Sequence, residues 1–219
     1  MGAFHRLSII IMDTRGLYPP GQNTKDLNYR LELKEIMNQM ICAQIGNILN
    51  LAAEHIEIAH DRKGAPYLPE YPSLHISMSY TDRFAVYALS TGRVGIDVER
   101  MRVPNRSLAR QFFCPEELRE VFRTTESVMI QDLPEQADEA VCRRWTALWT
   151  LKEAYGKYQG DGLPAVRRSL TPTRDICRIR ELKVREIPVA EGYACTVVSG
   201  SENAEIIRID CRAALEQAE

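Results

Sequence analysis

The chain has 219 residues, with 28 Lys or Arg against 30 Asp or Glu and a formal net charge of −2. That length suits one large domain or two small ones around a substantial buried core, and the balanced charge offers no broad basic surface, which argues against nucleic acid as the main partner. No apolar stretch approaches the roughly 20 residues of a membrane-spanning helix, and the six cysteines are scattered without a C-x-x-C pair or a zinc-like spacing to histidine, so reduced thiols in a cytoplasmic protein are expected.

Leu7–Met12 is an apolar run too short for a signal-peptide core with a cleavage site, and reads as a buried strand. Leu27–Leu51 places its apolar residues near helical spacing, with a break expected near Gly46. Ile56–Ala59 alternates like a short strand, and Asp61–Pro72, with one glycine and three prolines, reads as a loop. Leu74–Tyr80 and Phe84–Ser90 are expected as neighbouring strands, and Thr91-Gly92 turns the chain into a third, Val94–Glu99. A helix is expected from about Pro115, whose Pro-Glu-Glu start suits a first turn. Thr124–Glu139 is polar, carries Pro134 and reads as a surface excursion. Ala140–Tyr158 reads as a long helix stopped by Gly160-Asp161-Gly162. Ile179–Ile187, Tyr193–Val198 and Ile206–Cys211 complete an α+β chain as strands.

The strand Val94–Glu99 alternates strictly, so Val94, Ile96 and Val98 point one way and Gly95, Asp97 and Glu99 the other. Two carboxylates are thereby held side by side, next to a residue with no side chain. On the long helix, Glu153 and Lys157 share a face at i, i+4 with Lys152 beside them. Three acids and two lysines brought together suit a hard divalent cation and an anionic, phosphorylated ligand. Taken singly, each segment has a plainer reading, as a solvated strand face or a stabilising helix pair. Trp145 and Trp149, also at i, i+4, are expected to pack the helix against the sheet.

Together, Gly95-Ile96-Asp97-Val98-Glu99 and Trp149-Thr150-Leu151-Lys152-Glu153-Ala154-Tyr155-Gly156-Lys157 resemble the signature of the 4′-phosphopantetheinyl transferases, specifically the monomeric surfactin-type class. Phe112-Phe113-Cys114-Pro115-Glu116-Glu117 resembles the family's Phe-Phe-x-x-x-Glu segment. Gly64-Ala65-Pro66 through Ile76-Ser77-Met78-Ser79 resembles its Gly-Lys-Pro and Ser-His-Ser stretches, so the likeness runs from about Arg62 to Lys157. The resemblance implies two similar α/β lobes related by a pseudo-twofold, here residues 1–92 and 93–219, with the site between them. It implies Mg²⁺-dependent transfer of 4′-phosphopantetheine from coenzyme A to a serine of an apo acyl or peptidyl carrier protein, releasing adenosine 3′,5′-bisphosphate. A cytoplasmic monomer with no nucleic-acid or membrane partner is expected. Under this resemblance Asp97, Glu99 and Glu153 hold Mg²⁺, with Mn²⁺ also suiting the site. Lys152 and Lys157 neutralise phosphate oxygens, and Glu153 is a ligand, a general base or both. The carrier is expected to dock around Phe112–Phe122 and Thr124–Glu139.

Two positions depart from the family pattern, both on the coenzyme A side. Ala65 stands where the family carries lysine and Met78 where it carries histidine, so two phosphate contacts are missing. Arg62 and Lys63 are the candidates to compensate, with Lys25 or Arg30 as a further cluster. Ser77 and Ser79 can donate hydroxyl hydrogen bonds to the nucleotide, and His75 shares their strand face. The rival readings are a degenerate member that binds a carrier or nucleotide without catalysis, and a metal-dependent pyrophosphate hydrolase. The latter is disfavoured because no Nudix-type acidic helix is present.

Overall fold

The computed structural model of the chain describes residues 7–17, 27–160, 182–200 and 203–211. In chain order these form β1 (Leu7–Asp13), α1 (Leu27–Leu49), the two-residue strands β2 (Ala59–His60) and β3 (Pro66–Tyr67), β4 (His75–Tyr80) and β5 (Phe84–Ser90). There follow β6 (Val94–Arg100), α2 (Arg106–Phe112), α3 (Pro115–Phe122), α4 (Glu139–Gln159), β7 (Lys183–Glu186), β8 (Tyr193–Ser199) and β9 (Ala204–Asp210). One sheet has the order β4-β5-β1-β9 and a second the order β6-β8-β7. Strand β1 runs antiparallel to β5 and parallel to β9. A division at residues 92/93 therefore separates the sheets except for β9, which returns to the first.

The continuous apolar runs follow from burial on both faces. Leu7, Ile9 and Ile11 pack against Val94, Ile96, Val98 and Val197 of the second sheet. Ile10 and Met12, on the opposite face of the same strand, meet Ile41 and Ile45 of α1. Every residue of β5 is likewise buried. A strand covered on both sides cannot alternate apolar with polar, so it reads as an unbroken hydrophobic segment. The two sheets thus lie face to face, α1 backs the first, and α4 backs the second through Ala154 and Tyr155 against Val198.

Several local details differ from the sequence expectations. Helix α1 continues through Gly46, where an added Cβ would stand 2.8 Å from the Leu51 carbonyl oxygen. That glycine lets the chain fold back over the helix end rather than breaking it. Ile56–Ala59 contributes only Ala59 to a strand, and the Asp61–Pro72 loop contains β3. Of the expected Ile179–Ile187 strand, Lys183–Glu186 forms β7, and residues 179–181, like Lys25, lie outside the described residues. Helix α2 was not expected; its sequence signal is Asn105, whose side chain accepts from the Leu108 amide at 3.0 Å as an N-cap does. Helix α4 is capped by Asp138, which accepts from the Val141 amide at 2.7 Å, and ends at Gly160 with φ of 82°.

The tryptophan rings stack on the aromatic residues at the end of α2, although the Trp149 indole nitrogen also reaches Glu99 of β6. Trp145 stacks on Phe113 with ring centroids 4.0 Å apart, and Trp149 meets Phe112 edge-on at 5.6 Å. Phe113, Leu118 and Val121 are consequently core residues of this helical cluster, so most of the apolar surface of Phe112–Phe122 is unavailable for docking. The five described cysteines carry free thiols, four of them buried, while Cys177 lies outside the described residues. Among the described residues no helix is long and apolar enough to cross a membrane.

Helix and sheet approach closely at Gly95. A Cβ there would lie 1.9 Å from the Ala154 carbonyl oxygen and 2.6 Å from the Tyr158 amide nitrogen, both on the α4 backbone. Backbone cannot rotate aside as a side chain can, so Gly95→Ala should force α4 off β6. A loss of at least roughly 1–3 kcal/mol in denaturant unfolding is expected.

Candidate active site

Because β6 buries Val94, Ile96 and Val98 against the first sheet, its alternate face turns Gly95, Asp97 and Glu99 towards α4. Asp97 is 4% exposed. Its Oδ1 accepts from Ser79 Oγ at 2.7 Å and from Lys157 Nζ at 2.9 Å, whereas Oδ2 is buried with no hydrogen-bond partner. Glu99 Oε1 accepts from the Trp149 indole nitrogen at 3.2 Å and from the Arg102 guanidinium at 3.3 Å. Glu153, half-buried on α4, completes the acidic set.

These three carboxylates sense one another's charge. Burial pushes Glu153 up to about 7, with the charges of Asp97 and Glu99 adding to the effect and Lys157 and Arg102 opposing it. Burial also raises Asp97, against the pull of Lys157 and Ser79. It raises Glu99 as well, with Arg102 opposing and Asp97 adding. Among the described residues no three His, Cys, Asp or Glu side chains form a preassembled metal cage. Mg²⁺ does not need one, since it keeps several waters and takes one or two carboxylates together with ligand phosphates. The unpartnered Oδ2 of Asp97 and the mutual repulsion of the acids fit a hard cation at this place.

The two lysines of the motif go to different places. Lys157 spends its three donors on the Met78 carbonyl (3.1 Å), the Ile96 carbonyl (3.0 Å) and Asp97 Oδ1 (2.9 Å), so it ties β4 and β6 to α4. Lys152 is 0% exposed, 2.7 Å from Glu117 Oε1 and over the Phe113 ring. At that distance the ammonium and the carboxylate form a close buried ion pair, and neither atom has another partner. Burial lowers the Lys152 pKa, and Glu117 opposes the shift. The expectation that Lys152 meets phosphate is therefore corrected. It points away from the carboxylates because positions 152 and 153 are about 100° apart on a helix. Its partner Glu117 also accepts from the Cys114 amide at 2.9 Å, which starts α3.

A cleft of about 580 Å³ runs beside this cluster, between the Lys63–Pro66 loop, Ile76–Met78 of β4, Val94 of β6, and Lys157 and Gly160 of α4. It is this cleft that reaches Lys157, and not the larger groove of about 810 Å³ on the other side of α4. Lys63 and Ser77 line it; Arg62 and His75 are exposed outside its lining. The Ser77 hydroxyl accepts from the Ile96 amide at 3.1 Å, so both serines of β4 join the two sheets in addition to facing the site. Ala65 and Met78 both line the cleft and give it apolar wall. The contributions of Trp149, Arg102 and Glu117 were not read from the sequence, although Arg102 lies three residues after Glu99 and Trp149 four before Glu153.

Lys152→Met should cost roughly 3–5 kcal/mol of stability by leaving Glu117 charged and buried. Adding Glu117→Gln should restore most of that, while binding of anionic ligands by the folded protein stays unchanged; weakened binding would reinstate a phosphate role. Glu153 gives a pH signature. Its folded pKa of about 7 lies above the ordinary 4.5, so the folded state holds the proton more tightly. That stabilisation is complete below about pH 4.5 and lost as pH rises through about 7. Thermal unfolding in cation-free buffer should therefore weaken from acid to neutral pH in wild type, and Glu153→Gln should flatten the decline.

Residues 93–198 match the profile of the 4′-phosphopantetheinyl transferase superfamily. The chain is similar to the 4′-phosphopantetheinyl transferase gsp of Aneurinibacillus migulanus, 30% identical over 185 residues, which covers 81% of this chain and 70% of that protein. It is 30% identical over 100 residues to a 4′-phosphopantetheinyl transferase of Bacillus subtilis, covering 46% and 39% of the two chains. To the transferase Sfp of Bacillus subtilis (strain 168) it is 25% identical over 124 residues, covering 57% and 50%. The match thus spans from 39% to 70% of these relatives' own length. The profile match encloses the β6 acids and the α4 motif, and on these likenesses the chain belongs to the 4′-phosphopantetheinyl transferase superfamily.

Proposed function

We propose that this chain transfers the 4′-phosphopantetheine arm of coenzyme A to a serine of an apo acyl or peptidyl carrier protein, releasing adenosine 3′,5′-bisphosphate. The observation that carries the reading is the buried, unpartnered Asp97 Oδ2 within a three-carboxylate cluster, joined through Lys157 to a cleft large enough for part of a nucleotide. The names of the relatives point the same way.

In this reading the serine oxygen forms a bond to the phosphorus that bears the pantetheine arm. The bond from that phosphorus to the adenosine 5′-phosphate oxygen breaks, and the electron pair leaves on the bisphosphate. Both partners carry or develop negative charge, so positioning and charge neutralisation dominate the barrier. Asp97, Glu99 and Glu153 would hold Mg²⁺ or Mn²⁺, which when bound supplies charge neutralisation at the diphosphate. Glu153, brought by α4 next to the β6 acids, is the carboxylate that would receive the serine proton. Lys157, with its donors already engaged, acts mainly by fixing Asp97 and the edge of the cleft. Both sheets come from one polypeptide, so a monomer carries the whole cleft.

Mass spectrometry of an apo carrier incubated with coenzyme A and Mg²⁺ tests the proposal. Wild type should add one phosphopantetheine mass, and Asp97→Asn should slow this by roughly a hundredfold or more while remaining folded. For Glu153→Gln, recovery at high Mn²⁺ marks a ligand, and a persistently low rate marks the base. Intact reactants with wild type would leave a binder, and cleaved coenzyme A with unmodified carrier would mean a hydrolase; either overturns the proposal.

A further inference from the structure

The two acids on β6 are held alike but anchored differently. Each has one oxygen engaged by two donors: Asp97 Oδ1 by Ser79 and Lys157, Glu99 Oε1 by Trp149 and Arg102. Lys157 is locked by two further backbone carbonyls. Arg102 is not locked in this way. Its backbone amide is fixed to Thr146 Oγ1 at 3.2 Å, but its side chain is 41% exposed and reaches Glu99 by a single 3.3 Å ion pair, with the guanidinium 5.7 Å from the centre of the Trp149 ring. Three carboxylates therefore face two resident cations, one held by three hydrogen bonds between β4, β6 and α4 and the other tethered at the solvent edge.

We propose that Arg102 is the exchangeable counter-cation of this cluster: it holds Glu99 while no metal is bound, competes with a divalent cation there, and is released towards phosphate when a phosphate-bearing ligand arrives. The inference rests on the reading of Asp97, Glu99 and Glu153 as the cation-holding set. A guanidinium beside a ligating carboxylate repels the incoming cation and draws electron density from the oxygen it contacts. A phosphorylated ligand offers the same planar guanidinium a new partner, so cation and anionic ligand favour one another's binding. Arg102 is thus a positioning residue that acts through Glu99.

Mn²⁺ binding to the full chain, read by the electron paramagnetic resonance of free Mn²⁺ at low salt, tests this without turnover. Arg102→Gln should bind Mn²⁺ roughly three- to tenfold more tightly than wild type, the scale of a half-exposed ion pair facing a divalent ion. Arg102→Lys should stay within about twofold of wild type, because the charge is kept. Saturating coenzyme A should narrow the gap between Arg102→Gln and wild type; an unchanged gap overturns the coupling to the ligand. Damage to the fold would weaken binding, so tighter binding cannot arise from it. Asp97→Asn in the same assay separates the two readings. If it binds like wild type, the cation-site reading fails. If it loses Mn²⁺ while Arg102→Gln binds no more tightly than wild type, the cation site stands and the role of Arg102 is overturned.

Discussion

The site depends on how closely the α4 backbone can approach β6. Gly95 removes the one side chain that would stand between them, and the α4 backbone at Ala154 occupies the space a Cβ would fill. Glu153 lies next to Ala154, and Lys157 lies one turn beyond Glu153 on the same face. The same contact therefore brings Lys157 within 2.9 Å of Asp97 and Glu153 into the field of both β6 acids. A side chain at position 95 would separate two halves of the site that lie about sixty residues apart in sequence.

The remaining interactions hold that approach in register. Thr150 and Thr196 share a buried hydrogen bond of 2.7 Å between α4 and β8. Thr146 receives the Arg102 amide, fixing the chain just after β6. Ser77 and Ser79 join β4 of the first sheet to β6 of the second. On the opposite side, Lys152 and Glu117 link α4 to the start of α3, where Phe113 stacks on Trp145. A buried ion pair is weak evidence for added stability, but this one fixes which face of α4 is turned inward. One charged residue of the motif faces the core, and its neighbour, Glu153, lies in the field of the β6 acids.

Charge explains the rest of the arrangement. Three partly desolvated carboxylates would repel one another, and each is pushed up in pKa. Lys157 and Arg102 relieve part of that repulsion, yet Asp97 Oδ2 remains buried without a partner. An unsatisfied buried acceptor is costly, and in the proposed reading a cation brought from outside the chain would satisfy it.

The sequence alone determined the longer strands β1, β4, β5, β6 and β8 and the helix α4, because their signals are local. Period-two alternation placed Asp97 and Glu99 on one face of β6, i, i+4 spacing placed Glu153 with Lys157, and Pro115 and Gly160 marked helix ends. The motifs of β6 and α4 also carried the family. Tertiary structure alone decided what those side chains meet. Lys152 and Lys157 look alike in sequence, but helix rotation sends one to Glu117 in the core and the other to Asp97. The tryptophan rings turned to Phe112 and Phe113, because the α2–α3 segment covers that side of α4, while the Trp149 indole nitrogen reaches Glu99 of β6. Strand β9 joined β1 across almost the whole chain, a pairing that no local pattern encodes, since strand partners are chosen by burial and shape between distant segments.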